Sequence, residues 1–104
     1  MGQPDAIIHQ PLRLRIMAAL NGLPRGERLE FVRLRAILDA TEGNLGAHLG
    51  TLEGAGYIKI EKDFNGKKPR TRVSLTPAGM RAYADYVAYL RAIIDGTGET
   101  GDAD

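Results

Sequence analysis

Thr41-Glu42-Gly43-Asn44-Leu45-Gly46-Ala47-His48-Leu49-Gly50-Thr51-Leu52-Glu53-Gly54-Ala55-Gly56-Tyr57-Ile58 is the stretch whose reading decides the fold. Thr41 is a good helix N-cap, and the acid at Glu42 suits the positive end of the helix dipole. On a period of 3.6, Leu45, Leu49 and Leu52 fall in one narrow apolar stripe, which predicts a short helix docked by one side. The opposite side carries Gly43, Ala47, Gly50, Thr51 and Gly54, with Asn44 at its margin. Each interior glycine costs a helix roughly 1 kcal/mol relative to alanine. So many of them need a reason, and one reason is a large partner lying close to the backbone, for which a nucleic-acid groove is a candidate. The plainer alternative is a weak, exposed helix with no duty.

Working back from Thr41, Asp39-Ala40 makes a very short break. A preceding helix from about Glu27 or Glu30 to Leu38 would bury Phe31, Leu34, Ile37 and Leu38, leaving Arg28, Arg33 and Arg35 outside. Two helices joined by three or four residues, the second opening on a cap, is a helix-turn-helix layout. Further back, Leu23-Pro24-Arg25-Gly26 is a linker. A first helix starts at Pro11 and ends at Asn21-Gly22, with Leu12, Ile16, Ala19 and Leu20 on one face. Residues 1–8 are expected to be a frayed start.

Working forward, Gly54-Ala55-Gly56 is a glycine-rich exit. Tyr57-Ile58-Lys59-Ile60-Glu61-Lys62 alternates with Ile58 and Ile60 inward, and Arg70 to Leu75 alternates again with Thr71, Val73 and Leu75 on one side. Asn65-Gly66 between two alternating runs signals a hairpin, with a loop expected to run from Asp63 through Pro69. Thr76-Pro77 is a cap followed by a first-turn proline and opens a helix that runs to about Ile94. That helix carries one apolar stripe of Met80, Tyr83, Val87, Leu90 and Ile94, and beside it a second of Tyr86, Tyr89 and Ile93 with Ala82. A domain this small cannot cover both stripes, and tyrosine suits an interface. Gly96 to Asp104 reads as a short, acidic, disordered tail.

Size and charge narrow the classes. A chain of 104 residues forms one domain around one modest core, here ordered over about 8–94. It has no cysteine, which removes thiolate metal sites and cysteine nucleophiles. No run approaches a membrane span and no signal-peptide core opens the chain, so a cytoplasmic location is the default. The net charge of +1 averages two unlike segments. Six basic residues lie between Tyr57 and Arg72 against Glu61 and Asp63, whereas four acids and no base lie from Asp95 onward. Partners meet the segments rather than the sum.

Helix, helix, tight turn, helix, basic hairpin and long last helix together suit duplex DNA. A helix fits the major groove, and a flanking hairpin can lay cations on the backbone or minor groove. Thr41 and the free amides of its helix start can meet a phosphate. Asn44 can pair with adenine, and Ala47 and Thr51 can touch a thymine methyl. His48 can donate to a base or phosphate, but it sits nearer the leucine stripe, where a structural role is the alternative. Lys67, Lys68, Arg70 and Arg72 would act on phosphates, governing affinity and salt dependence more than sequence choice; the alternative for them is a charged, solvated hairpin tip.

At these residues the chain resembles a known family. Thr41 to Leu45, His48-Leu49 and Leu52 to Ile58 resemble the winged-helix transcriptional regulators of the MarR/ArsR-like group, in particular its small winged helix DNA-binding domain branch. Lys62 to Thr71 resembles that branch's wing, and Leu75-Thr76-Pro77-Ala78-Gly79 its entry into the last helix. The likeness covers about residues 8–94. It implies a mainly α, winged helix-turn-helix fold with a small antiparallel hairpin. It further implies a recognition helix at 41–55, a wing at 62–72, and a homodimer joined through the terminal helices, here Tyr83, Tyr86, Tyr89, Leu90 and Ile93. Such a protein binds a roughly palindromic duplex, often as a repressor, without catalysis. Where the family usually has serine, a basic residue and glutamate, this chain has Gly46, Gly50 and Gly54, which puts its target sequence and affinity apart from theirs.

Two other classes are weighed. An enzyme would need a nucleophile paired with a base, or converging carboxylates; the two histidines, His9 and His48, lie far apart in sequence, and Asp39 and Glu42 need no catalytic explanation. No metal or cofactor is expected. A protein-interaction module that keeps the winged fold without strong DNA binding is the other reading. A small-molecule effector would sit between the first helix, the last helix and a neighbouring subunit, but no polar cluster in the sequence selects one.

Overall fold

The computed structural model describes residues 4–96; the expected acidic tail beyond Gly96 lies outside the described residues. In chain order the elements are α1 (Pro11–Asn21), β1 (Leu29–Glu30), α2 (Phe31–Leu38), α3 (Glu42–Gly54), β2 (Ile58–Asn65), β3 (Lys68–Leu75) and α4 (Pro77–Asp95). The strands form one antiparallel sheet in the order β1-β3-β2.

The helix-turn-helix forms where the caps direct it. α2 ends on Asp39, whose φ of 51° is left-handed, a conformation that short polar side chains tolerate. The Arg35 Nε donates to the Ala40 carbonyl at 3.1 Å and helps close the turn. Thr41 then caps α3, its side-chain oxygen accepting from the Asn44 amide at 3.1 Å. Leu45, Leu49 and Leu52 are all buried as one stripe, packed with Leu34 and Leu38 of α2 and Ile16, Met17 and Leu20 of α1 in a single core.

Three expectations are corrected. Ile37 is 51% exposed rather than buried, because α2 is only one side deep in the core and starts at Phe31. The residues before it form β1, a two-residue strand pairing Leu29 with Val73 and Glu30 with Arg72; two residues are too few to show an alternation. The start of the chain is also held from Asp5 onward. Ile8 is fully buried, the Asp5 carboxylate accepts the Ile7 amide at 2.9 Å, and the Tyr57 hydroxyl donates to the same carboxylate at 2.6 Å.

The hairpin is longer and its loop tighter than the sequence suggests. Pairing runs from Ile58 with Leu75 out to Asn65 with Lys68, leaving Gly66 and Lys67 as a two-residue turn. Gly66 has a φ of +67°, the positive value such turns require at their first position. Asp63, Phe64, Lys68 and Pro69 are therefore strand residues.

The exit of α3 and the entry of α4 are one joint. The Thr76 hydroxyl donates to the Gly56 carbonyl at 2.6 Å and accepts from the Gly79 amide at 2.9 Å, while the Thr76 amide donates to the Tyr57 carbonyl at 3.1 Å. A Cβ on Gly79 would stand 2.0 Å from that Tyr57 carbonyl oxygen, so only glycine fits. The joint anchors both ends of the hairpin to the helix that precedes it and the helix that follows.

Candidate nucleic-acid interface

α3 presents two unlike sides. Its leucine stripe is buried, and its other side is open: a Cβ added at Gly43, Gly46, Gly50 or Gly54 would meet nothing within 4 Å among the described residues. Thr41, Asn44, Ala47 and Thr51 are all exposed on this helix. The Asn44 side-chain amide makes no hydrogen bond among the described residues, whereas Thr51 donates to the Ala47 carbonyl one turn back at 3.3 Å and keeps its lone pairs and methyl outward. The side is thus backbone-dense, nearly uncharged and edged by one free amide. A surface of that kind lets a partner approach the helix closely and read it with few side chains.

His48 is held differently from these four. It is half-buried, and its Nδ1 accepts from the Arg13 guanidinium of α1 at 3.0 Å, while the Arg13 Nε donates to the Ile7 carbonyl at 2.6 Å. It ties α3 to α1, the structural alternative raised for it above.

The wing's cations separate into two groups. Arg70 donates from Nε to Asp63 at 2.8 Å, and Arg72 donates from Nη2 to the other oxygen of the same carboxylate at 2.8 Å. One strand pair inward, Arg28 and Lys59 both reach Glu61, the second at 3.3 Å. Hydrogen bonding from Arg70, reinforced by Arg72, holds Asp63 below the usual carboxylate range; Arg28 and then Lys59 do the same for Glu61. The Asp63 carboxylate in turn raises Arg70 further. These guanidiniums form a ladder that braces the hairpin, so Arg70 and Arg72 already have a partner within the chain. Lys62, Lys67 and Lys68 are exposed and have no acidic partner among the described residues. Lys62 is the cation that sequence reasoning left off the site, and strand parity alone does not reveal which charges are already paired.

Of the two apolar stripes of α4, the core covers the middle and leaves the end bare. It packs on α1 and β3, and Tyr86 is only 4% exposed, its hydroxyl hydrogen-bonded to the His9 Nδ1 and its ring edge-on to His9. Burial raises the Tyr86 hydroxyl above its ordinary pKa. Tyr86 thus belongs to the protomer's own core and is not a free interface side chain. Tyr83, Tyr89 and Leu90 are half-buried beside it. The bare part is the last turn, where Ile93 is 48% and Ile94 79% exposed. Near the other end of α4, Asp5, Tyr57, Arg81, Asp85 and Tyr89 line an open crevice; the Tyr57 hydroxyl there is pushed up to about 12 by its hydrogen bond to Asp5 and by burial.

Residues 12–94 match the model of the winged helix DNA-binding domain family. The chain is 39% identical to the transcriptional regulator homologue of Pyrococcus horikoshii OT3, with a TM-score of 0.78 over 86% of each chain. A MarR-family transcriptional regulator from Silicibacter pomeroyi aligns at 26% identity and a TM-score of 0.67, over 91% of this chain and 62% of that one. An uncharacterized protein of Methanocaldococcus jannaschii is 33% identical over 81 residues, 78% of this chain and 85% of the relative. The fold superposes on the two solved regulators, and with residues 12–94 matched the chain belongs to the winged helix DNA-binding domain family and is a MarR-like, DNA-binding regulator.

Proposed function

We propose that the chain binds double-stranded DNA sequence-specifically as a homodimeric transcriptional regulator acting as a repressor, on the nucleoid of the cytoplasm. α3 enters the major groove through its open side, with the Thr41 end toward a phosphate and Asn44, Ala47 and Thr51 toward base edges. The wing lies on the backbone or minor groove, with Lys62, Lys67 and Lys68 supplying the charge. The observation that carries this reading is the open glycine side of α3, which packs against nothing among the described residues. Self-association through the last turn of α4 is supported by the exposure of Ile93 and Ile94.

Selection of bound duplexes from a random pool, repeated with Lys67 and Lys68 both replaced by alanine, tests the reading. The expected result is an enriched, near-palindromic motif with the intact chain and a weaker, less salt-dependent yield of the same motif with the variant. Absence of duplex affinity at ordinary salt would favour the interaction-module reading instead. A size measurement in solution tests the dimer, and a monomer at the concentration used for binding would contradict it.

A further inference from the structure

The register of the hairpin sorts its side chains onto two faces. On one lie Lys59, Glu61 and Asp63 with their cross-strand partners Ser74, Arg72 and Arg70, the ion-pair ladder. On the other, Ile58 stands opposite Leu75, Ile60 opposite Val73, Lys62 opposite Thr71, and Phe64 opposite Pro69. This second face begins in the core, where Ile58 is 3% and Val73 0% exposed. It ends beyond the core at Phe64, which is 66% exposed, beside Pro69, which is exposed too. A solvated tip explains the lysines but not a bare phenyl ring one residue from the end of a two-residue turn.

The surroundings of the ring say what covers it. Lys62 shares its face, Lys67 occupies the turn and Lys68 follows, all three exposed and without acidic partners among the described residues. An apolar ring bracketed by free cations matches a cleft with apolar walls between two lines of negative charge. A B-DNA minor groove is such a cleft: about 6 Å wide, walled by deoxyribose and rimmed by phosphates. Apolar side chains are known to enter it and wedge against base steps. Its floor differs between base pairs chiefly by the guanine 2-amino donor. A phenyl ring offers that donor no acceptor and takes its water away, a loss that A·T pairs do not suffer.

We propose that Phe64 is a specificity-determining residue that enters the minor groove beside the α3 site and selects against the guanine 2-amino group; this rests on the DNA-binding reading above. The lysines hold the ring in place and Pro69 backs it. The wing thereby contributes sequence preference as well as charge.

The test uses the full chain and three short alternating duplexes, of dA-dT, dI-dC and dG-dC. Inosine–cytosine and guanine–cytosine pairs carry the same major-groove edges apart from the purine 2-amino group in the minor groove. The intact chain is expected to bind the dI-dC and dA-dT duplexes about three- to tenfold more tightly than dG-dC. In Phe64→Ala this preference should vanish while the dependence on salt is unchanged; in Phe64→Leu, still apolar, it should persist in part. Thermal unfolding checks that both variants fold, as an exposed residue should allow. Equal binding to dI-dC and dG-dC by the intact chain, or a preference that survives in Phe64→Ala, overturns the inference while leaving DNA binding intact. Failure of the intact chain to bind any of the three duplexes would instead overturn the DNA-binding reading itself, and this inference with it.

Discussion

Two sets of helical glycines in this molecule answer to different constraints. Gly79, in the first turn of α4, has the Tyr57 carbonyl where its side chain would be, and the fold needs it. At Gly43, Gly46, Gly50 and Gly54 in α3 an added Cβ would meet nothing within 4 Å among the described residues, and all four are exposed; the fold of one chain would be better off without them. The difference teaches that absence of a side chain is explained from within the protomer at α4 and only from outside it at α3. The same division runs through the hairpin, where one face is braced by its own ion pairs and the other ends in uncovered side chains.

The largest effect expected of any substitution is at the joint. Gly79→Ala should lower stability by about 3 kcal/mol, because the clash is with backbone and not with a side chain that can swing away; thermal or denaturant unfolding measures it, and a neutral result would break the comparison. Replacing Lys67 and Lys68 together by alanine should leave stability nearly unchanged. It should flatten the log-affinity against log-salt plot by up to about 1.8, at about 0.9 for each phosphate that is no longer neutralised. Arg70→Ala should flatten it by clearly less, since that guanidinium is already paired. Gly50→Ala should move stability in the direction opposite to Gly79→Ala, raising it by about 1 kcal/mol, with the same unfolding measurement.

The smallest effect concerns pH. Asp63 and Glu61 are lowered in the folded chain, so the wing's ion pairs contribute fully above the ordinary carboxylate range and are lost as pH falls through the lowered values. Protection of the β2 and β3 amides, measured against the intrinsic exchange rate at each pH, should therefore hold through the ordinary carboxylate range and fall only below it. In Asp63→Asn the brace is gone at every pH, and Arg70 and Arg72 are released. That variant should show looser wing amides and a steeper salt dependence of duplex binding than the intact chain.

Much of this was legible from residue order. The caps at Thr41 and Thr76, the leucine stripe of α3, the proline-led starts of α1 and α4 and the two alternating strands are local signals, and each element formed where its signal lies. What was not legible depends on pairing at a distance. β1 exists only because β3 offers it an edge. Asp5 and Ile8 are held by Tyr57 and the core. Tyr86 is taken inward by His9 across 77 positions of sequence. The site shows the same limit: Asn44, Ala47 and Thr51 could be placed from helical period alone, whereas separating Arg70 and Arg72 from Lys62, Lys67 and Lys68 required knowing where Asp63 sits in the ladder.

The central claim is that the open side of α3 meets a duplex, and Gly50→Glu tests it most directly. Glutamate is the better helix former by about 0.5 kcal/mol, and a Cβ at that position meets nothing within 4 Å among the described residues, so the variant should be at least as stable as the parent. Measured side by side at one salt concentration on the duplex enriched from the random pool, its affinity should fall at least about tenfold as a carboxylate is brought against the groove. Unchanged affinity in a stably folded Gly50→Glu chain would contradict the account.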